Sequence, residues 1–449
     1  MRIDERKQGG EQPGPIVYHC CETVDNKMYI LLGMNERGKN STQVRVFDMI
    51  TGKWKHIYPM GKPPSPRCLA CSCTVGTKIY IFGGYQVHSN SPHTVFNGMF
   101  VFDTETQQWD HLEASGLSPD PRAAASMIEF EGKLYIFGGS QGKQVFFGDL
   151  YSFSLETRQW TAVETFGELR PQRLCCHTSR RMGNDMYVFG GLTSNEQYEN
   201  QKPNNTLWAL NLNTKRWREV QSKGSLPAPR CNHAMIAMEP SLIVAGGGDL
   251  MTKSDYDHHV YLFNTETEKW IKLTGFFGNN LPKCVGLSVA YNPKDRELLL
   301  FGGKNSTGEL LDGLFSMPIH NDKNITSNVN ELGATPVFAG KPSMMRGMSV
   351  KNVKVNPFKL VRSNSAEFHN NLQVRVHTPV SPGANDAEQQ QQQQEPVEVG
   401  DAIPNRTQYA ELISLSPSGF APPRQSRRSL DVGPSSPKNA QKGAFFAYL

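Results

Sequence analysis

The chain reads as an all-β protein made of one repeated four-stranded unit, which predicts a propeller of six blades. Three observations carry this expectation. Five tryptophans, Trp54, Trp109, Trp160, Trp217 and Trp270, recur at intervals of about 50 to 57 residues. Three residues before each stands a threonine, Thr51, Thr106, Thr157, Thr214 or Thr267, and six before each stands Asp48, Asp103, Ser154, Asn211 or Asn264. Apolar runs then end on paired glycines, Gly83-Gly84, Gly138-Gly139, Gly190-Gly191, Gly246-Gly247 and Gly302-Gly303. A fixed period of this length is the mark of a repeat architecture.

Each element of the unit has a mechanical reason. The Asp, Asn or Ser with its following Thr turns a tight hairpin through side-chain bonds to its own backbone. Runs such as Tyr80-Ile-Phe82, Tyr187-Val-Phe189 and Leu298-Leu-Leu-Phe301 suit a strand buried on both faces. The glycine pair permits positive φ and close backbone approach where that strand ends. Tryptophan is large enough to fill the space between neighbouring sheets. Thirteen residues after each tryptophan comes a basic residue: Arg67, Arg122, Arg173, Arg230 or Lys283. The small side chains that follow, Cys68-Leu-Ala-Cys71-Ser-Cys73 and Ala123-Ala-Ala-Ser126 among them, fit an inner strand crowded against an axis.

Units of this length with a Tyr-x-Phe run, a glycine pair and a later tryptophan resemble the kelch repeat. The resemblance spans residues 1–319 and implies a propeller with the glycine pair ending strand two and the tryptophan in strand four. Six sets begin near Ile16, Arg67, Arg122, Arg173, Arg230 and Lys283. The first departs from the pattern, with Leu32-Gly33 at the glycine pair. The sixth stops after Leu314-Phe315-Ser-Met317 with no tryptophan. Stepping back thirteen residues from Ile16 puts Ile3 at the tryptophan position, so residues 1–15 are expected to complete the last blade and remove two exposed sheet edges.

Residues 320–449 change character. They hold no Trp or Cys, contain six consecutive glutamines from Gln389 to Gln394, and are rich in Ser, Pro and Asn. Such composition buries too little apolar surface to offset chain entropy, and a disordered tail is expected. Ser365, Thr378, Ser381, Ser416, Ser429 and Ser436 stand beside prolines or arginines and are candidates for phosphorylation and for a phosphoserine reader. Asn356-Pro-Phe358 resembles the peptide bound by EH domains.

Composition narrows the function. A net charge of +5 over 449 residues gives no reason to expect nucleic acid as the partner. There is no apolar run long enough to insert in a membrane and no apolar core of a signal peptide after Met1, so a cytoplasmic protein is expected, with the nucleus as a second compartment. The nine cysteines are odd in number and crowd into inner-strand segments, which favours reduced thiols.

Catalytic chemistry finds little footing. His258-His259 beside Asp255 and Asp257 is the densest ligand-type cluster, but nothing has recognised metal-ligand spacing and a polar surface loop is the simpler reading. His177 and His233, just after the inner-strand entry, read as structural hydrogen-bonding groups. The Tyr/His or Glu/Asp/His constellations of the copper and iron kelch enzymes have no counterpart here, nor does a phosphate loop or a nucleophile elbow. No cofactor is expected.

Recognition is the better reading. The basic residues Arg67, Arg122, Arg173, Arg230 and Lys283 share one rim, where they are expected to form a receptor for carboxylates or phosphate, to tie adjacent blades together, or both. The loops between strands two and three open on the same face and differ from unit to unit. Phe96, Phe146, Phe147, Tyr198 and Tyr256 offer them aromatic contact points. The chain is therefore expected to be a non-catalytic protein-interaction scaffold that binds a partner peptide or loop, an acidic one included. Two alternatives remain: the substrate-recognition subunit of a ubiquitin ligase, for which the N-terminus leaves no room for a BTB domain, and a metal-dependent or small-molecule kelch enzyme.

Overall fold

The computed structural model describes residues 4–89, 91–142, 145–194, 201–250, 256–273 and 281–319. The tail beyond 319 lies outside the described residues, and with it all six phosphorylation candidates, as do Ile3 and Tyr198. The described residues form six antiparallel sheets of the meander type, the blades of a β-propeller. Blade three is typical: Ser126–Phe130, Lys133–Phe137, Leu150–Ser154 and Gln159–Val163 pair in order, with Phe137 opposite Leu150 and Phe153 opposite Trp160.

The hairpin between strands three and four forms as its residues require. Asp103 Oδ1 accepts the amides of Glu105 and Thr106, and Asn211 Oδ1 those of Asn213 and Thr214. Each tryptophan packs between blades. Trp160 lies 5.0 Å from Phe153 of its own blade and 5.1 Å from Phe82 of the blade before. Trp270 repeats this at 5.0 Å from both Phe263 and Phe189, and Trp54 at 5.1 Å from Phe47 and 5.0 Å from Phe301. Aromatic pairs at such spacing add to the stabilisation from burial.

The connection leaving strand four carries a strand that the sequence reading missed. Met60–Gly61, Ser115–Gly116 and Lys223–Gly224 each run parallel to the fourth strand of the next blade, as a fifth, outermost strand. Gly9–Gly10 does the same for blade one, where Gln8 also accepts a bond from Trp54 Nε1 at 2.7 Å. The signal was present in the Gly-x-x-Pro-x-Pro runs before Arg67, Arg122 and Arg230, but an edge of two residues has no periodicity to detect. Upstream, Asp4–Glu5 pairs antiparallel with Leu314–Pro318 of blade six, and Arg6 forms ion pairs with Glu297 and Asp295 of that blade. One N-terminal segment thus edges both the first blade and the last.

Candidate functional site

The inner strands meet around the axis, and the entry to each is held by two sets of backbone bonds. The carbonyls of Arg67, Arg122, Leu174, Arg230, Cys284 and Ile16 accept the amide of the second glycine of the preceding blade, at 2.8 to 2.9 Å. A side chain on the first glycine would collide there: a Cβ on Gly83, at φ 69°, would lie 2.3 Å from the Arg122 carbonyl oxygen. Two residues further in, a closed circle forms. Leu69 N donates to Tyr18 O, Ala124 to Leu69, Cys176 to Ala124, Asn232 to Cys176, Gly286 to Asn232 and Tyr18 to Gly286, at 2.8 to 3.4 Å.

This circle needs left-handed backbone. Tyr18, Leu69, Ala124, Cys176 and Asn232 have φ from 51° to 56°, and the sixth member is Gly286 at 68°. Five non-glycine residues hold a conformation costing about 1 kcal/mol or more each, which the ring of amide bonds sustains. Gly286 is small for a further reason: a Cβ there would meet the Tyr18 ring at 2.8 Å. The buried residues around the circle form a continuous apolar cluster that includes Tyr18, Tyr85, Phe146, Leu192 and Tyr256. The axis is therefore closed on the loop-rich face. On the other side of the circle, a cavity of ≈ 170 Å³ is lined by the inner strands, Glu22, Ser72 and Arg180 among them.

The groups around that cavity are largely engaged with one another. Glu22 accepts the hydroxyls of Ser72 at 2.6 Å and Thr74 at 2.9 Å. His177 Nε2 pairs with Ser126 Oγ at 2.8 Å, His233 with Thr178 at 2.7 Å and His19 with Ser288 at 2.8 Å, each reaching the preceding blade. Burial lowers His19 to a pKa of about 4 and His177 to about 3, and with the nearby Arg230 it lowers His233 well below the usual range. All three are neutral at pH 7 and join blades; for His177 and His233 the sequence suggested a structural hydrogen bond without saying to what. The nine cysteines are free thiols, and burial pushes Cys68, Cys71 and Cys284 up to about 12. They are packing groups, poorly suited to act as nucleophiles.

The basic rim needs correction. The count of thirteen from tryptophan is right for Arg67, Arg122 and Arg230. The connections into blades four and six are one residue longer, so Leu174 and Cys284 take the equivalent position. Arg173 and Lys283 stand one residue upstream, exposed, and do not continue the set. The three true members are 2%, 1% and 1% exposed and point inward. Their Nη1 atoms bind the carbonyls of Gly83, Gly138 and Gly246, closing the backbone opened by the glycine pair. Arg122 adds a bidentate pair with Asp149, and Arg230 a bond of 2.8 Å to Asp257. An open ring of guanidiniums facing a pore is not what these residues make.

The aromatic contact points divide likewise. Phe96 lies over the Arg67 guanidinium at 3.8 Å and Phe147 over Arg122 at 4.0 Å. Phe146 and Tyr256 are buried in the axial cluster, so they are core and not contact surface. The loops between strands two and three rise as two-stranded ribbons, Tyr85–Gln86 with Thr94–Val95 and Ser140–Gly142 with Val145–Phe146 among them. Asp257, His258 and His259 do converge closely enough to hold a cation. Burial alone would raise the Asp257 pKa, but bonds from Arg230 and His259 outweigh it and hold the carboxylate well below its ordinary range. With Tyr261 also donating to it at 2.9 Å, this carboxylate is already saturated by protein donors.

Sheet topology and the closed axis define the class: a six-bladed propeller with a sealed loop-rich face. The model of the KLHDC2/KLHL20/DRC7 kelch-repeats domain matches residues 1–173 and 70–275, and the chain belongs to the kelch-repeat family. It is 30% identical to the host cell factor of Drosophila melanogaster over 269 residues, 54% of this chain and 18% of that protein. It is 26% identical to the leucine-zipper-like transcriptional regulator 1 homolog of the same organism, over 56% of this chain and 26% of that protein. Human kelch domain-containing protein 1 is 27% identical over 334 residues, 66% of this chain and 77% of its own length. The chain thus spans only about a fifth to a quarter of the first two relatives. Kelch repeats of this kind point to a protein-interaction scaffold. Among the described residues no helix is long and apolar enough to cross a membrane.

Proposed function

We propose that the chain is a non-catalytic adaptor that binds a partner protein through the ribbons of its loop-rich face, with the segment beyond residue 319 carrying phosphorylation-controlled docking. The observation that carries this reading is the contrast within one face. A backbone circle and buried arginines make a rigid floor, and ribbons of unlike sequence stand on it. Variable loops on a rigid scaffold are the usual seat of recognition. The saturated Asp257 carboxylate and the buried, paired histidines favour a structural over a catalytic use of the titratable groups. An acidic partner segment and a cytoplasmic or nuclear setting belong to the same reading.

The test is affinity capture with the full chain against two variants, one with the tip between Gln86 and Thr94 replaced by Gly-Ser and one ending at residue 319. Partners lost with the ribbon variant, at unchanged melting temperature, support the proposal. Identical partner sets from wild type and ribbon variant overturn it, as does stoichiometric metal in the purified protein. Retention of every partner by the 319-residue form overturns the role given to the tail.

A further inference from the structure

Blades two and three place an arginine in the same pocket with one difference. Arg122 donates from Nε to Asp120 O at 3.0 Å and from Nη1 to Gly138 O at 3.1 Å, and lies 4.0 Å from the Phe147 ring and 5.5 Å from Tyr151. Arg67 donates from Nε to Ser65 O at 2.9 Å and from Nη1 to Gly83 O at 2.8 Å, and lies 3.8 Å from Phe96 and 5.2 Å from Phe100. Donors, carbonyls and rings correspond one to one. Arg122 then meets Asp149, whose carboxylate oxygens stand 2.5 and 3.1 Å from its two Nη atoms. Asp149 directly precedes the third strand of blade three, and the residue directly before the third strand of blade two is Gly98.

Arg67 makes no ion pair among the described residues, although it is 2% exposed. Burial without a neighbouring carboxylate pulls its pKa down to about 10. A buried cation of this kind is costly, and a carboxylate brought to it gains the charge-assisted bonds that Asp149 supplies to Arg122. The corresponding place in blade three reaches solvent, its Asp149 side chain being 39% exposed, and in blade two the half-buried Gly98 lies beside the exposed Asn97. A Cβ at Gly98 would meet Phe100 Cε2 at 3.0 Å and His111 Nε2 at 3.5 Å, so those two rings bound the approach. His111 is itself bonded through Nδ1 to Glu113, which faces solvent.

We propose that blade two carries a subsite for the carboxylate of an aspartate or glutamate side chain on a partner protein, received by Arg67 over Gly98. This rests on the adaptor reading and names one feature of the partner. A planar carboxylate fits the remaining edge of a guanidinium whose Nε and Nη1 are already committed, as the bidentate Arg122–Asp149 pair demonstrates.

The experiment uses full-length protein and a blocked peptide, acetyl-Gly-Glu-Gly-amide, beside its glutamine counterpart, each at millimolar concentration. The glutamate peptide should raise the melting temperature by about 1 °C or more and the glutamine peptide should not. Gly98→Asp, which supplies the carboxylate within the chain, should raise the melting temperature by about 2–4 °C and abolish the peptide response. Should that variant not fold, the wild-type Arg67 Nε–H resonance gives the answer: it should move with the glutamate peptide while those of Arg122 and Arg230 stay. Equal responses to both peptides, equal response to inorganic phosphate, a Gly98→Asp protein that still responds, or an unmoved Arg67 resonance overturns the subsite. Ribbon-dependent partner capture that survives such a result leaves the adaptor reading standing, so the two fail separately.

Discussion

The seam between blades four and five and the seam between blades five and six are built on the same backbone and filled with opposite chemistry. At the first, Gly191 N bonds Arg230 O at 2.8 Å; at the second, Gly247 N bonds Cys284 O at 2.9 Å. Two residues further in, both seams are also joined by the axial circle, through Asn232 N to Cys176 O at 3.0 Å and Gly286 N to Asn232 O at 2.8 Å. Across the first, His233 of blade five bonds Thr178 of blade four, while the Arg230 side chain stays with blade five, on Gly246 O and Asp257. The second holds Cys284 and Leu287 in an apolar cluster with Leu281 and Val289. Blade geometry is therefore set by main-chain bonds and glycine pairs, and the side chains in the seam are one of several ways to fill it. Blade four varies the arginine position as well: Leu174 replaces arginine, and Asn204 Nδ2 takes over the Gly190 carbonyl of the same blade at 3.1 Å.

Acid should separate the two seams most strongly. His19, His177 and His233 are held neutral in the fold, while in the unfolded chain they protonate near pH 6.5. Their folded pKa values lie below the unfolded ones, so stability is complete above about pH 6.5 and falls as pH drops through the window down to about pH 4 for His19 and about pH 3 for His177. His19 and His177 each contribute a loss of about 2 kcal/mol by pH 5, and His233 acts in the same direction. The melting temperature should drop steeply from pH 7 to 5, with hydrogen exchange accelerating at the seam of blades four and five before that of five and six. A flat profile would mean that the imidazoles rehydrate without opening the seam.

Glycine substitution comes next in size. A Cβ on Gly190, at φ 62°, would stand 2.7 Å from the Arg230 carbonyl oxygen, whereas one on Gly246 meets chiefly the end of Leu287, with backbone no nearer than 3.1 Å. Gly190→Ala should cost about 3 kcal/mol and Gly246→Ala about half that, read by urea denaturation. Removing the charge falls between the two glycine changes. Arg230→Leu copies the Leu174 solution but releases the Gly246 carbonyl and the Asp257 carboxylate, for a loss of about 2 kcal/mol.

Much was legible because it is local or periodic. The Asp/Asn–Thr hairpins, the apolar strands, the tryptophans between sheets and the structural histidines each announce themselves by residue type at a fixed offset. What escaped depends on loop length and on main chain. One extra residue in two connections moved Leu174 and Cys284 into the place counted for Arg173 and Lys283. Arginine beside a glycine pair reads as a surface cation, and only packing shows that its planar head completes the backbone inside. Phe146 and Tyr256 sit in loops, where aromatic residues suggest contact, yet their burial follows from six loops converging on one axis.

Taken alone, the sequence determined the repeat, its strand order, its hairpin chemistry and membership of the blade count, since these follow from side-chain pattern within one unit. The tertiary structure decided which basic residues are buried and that a circle of amide bonds seals the axis. The reason is physical. Those features arise from backbone groups and from registers between blades, and neither leaves a periodic trace in the order of side chains.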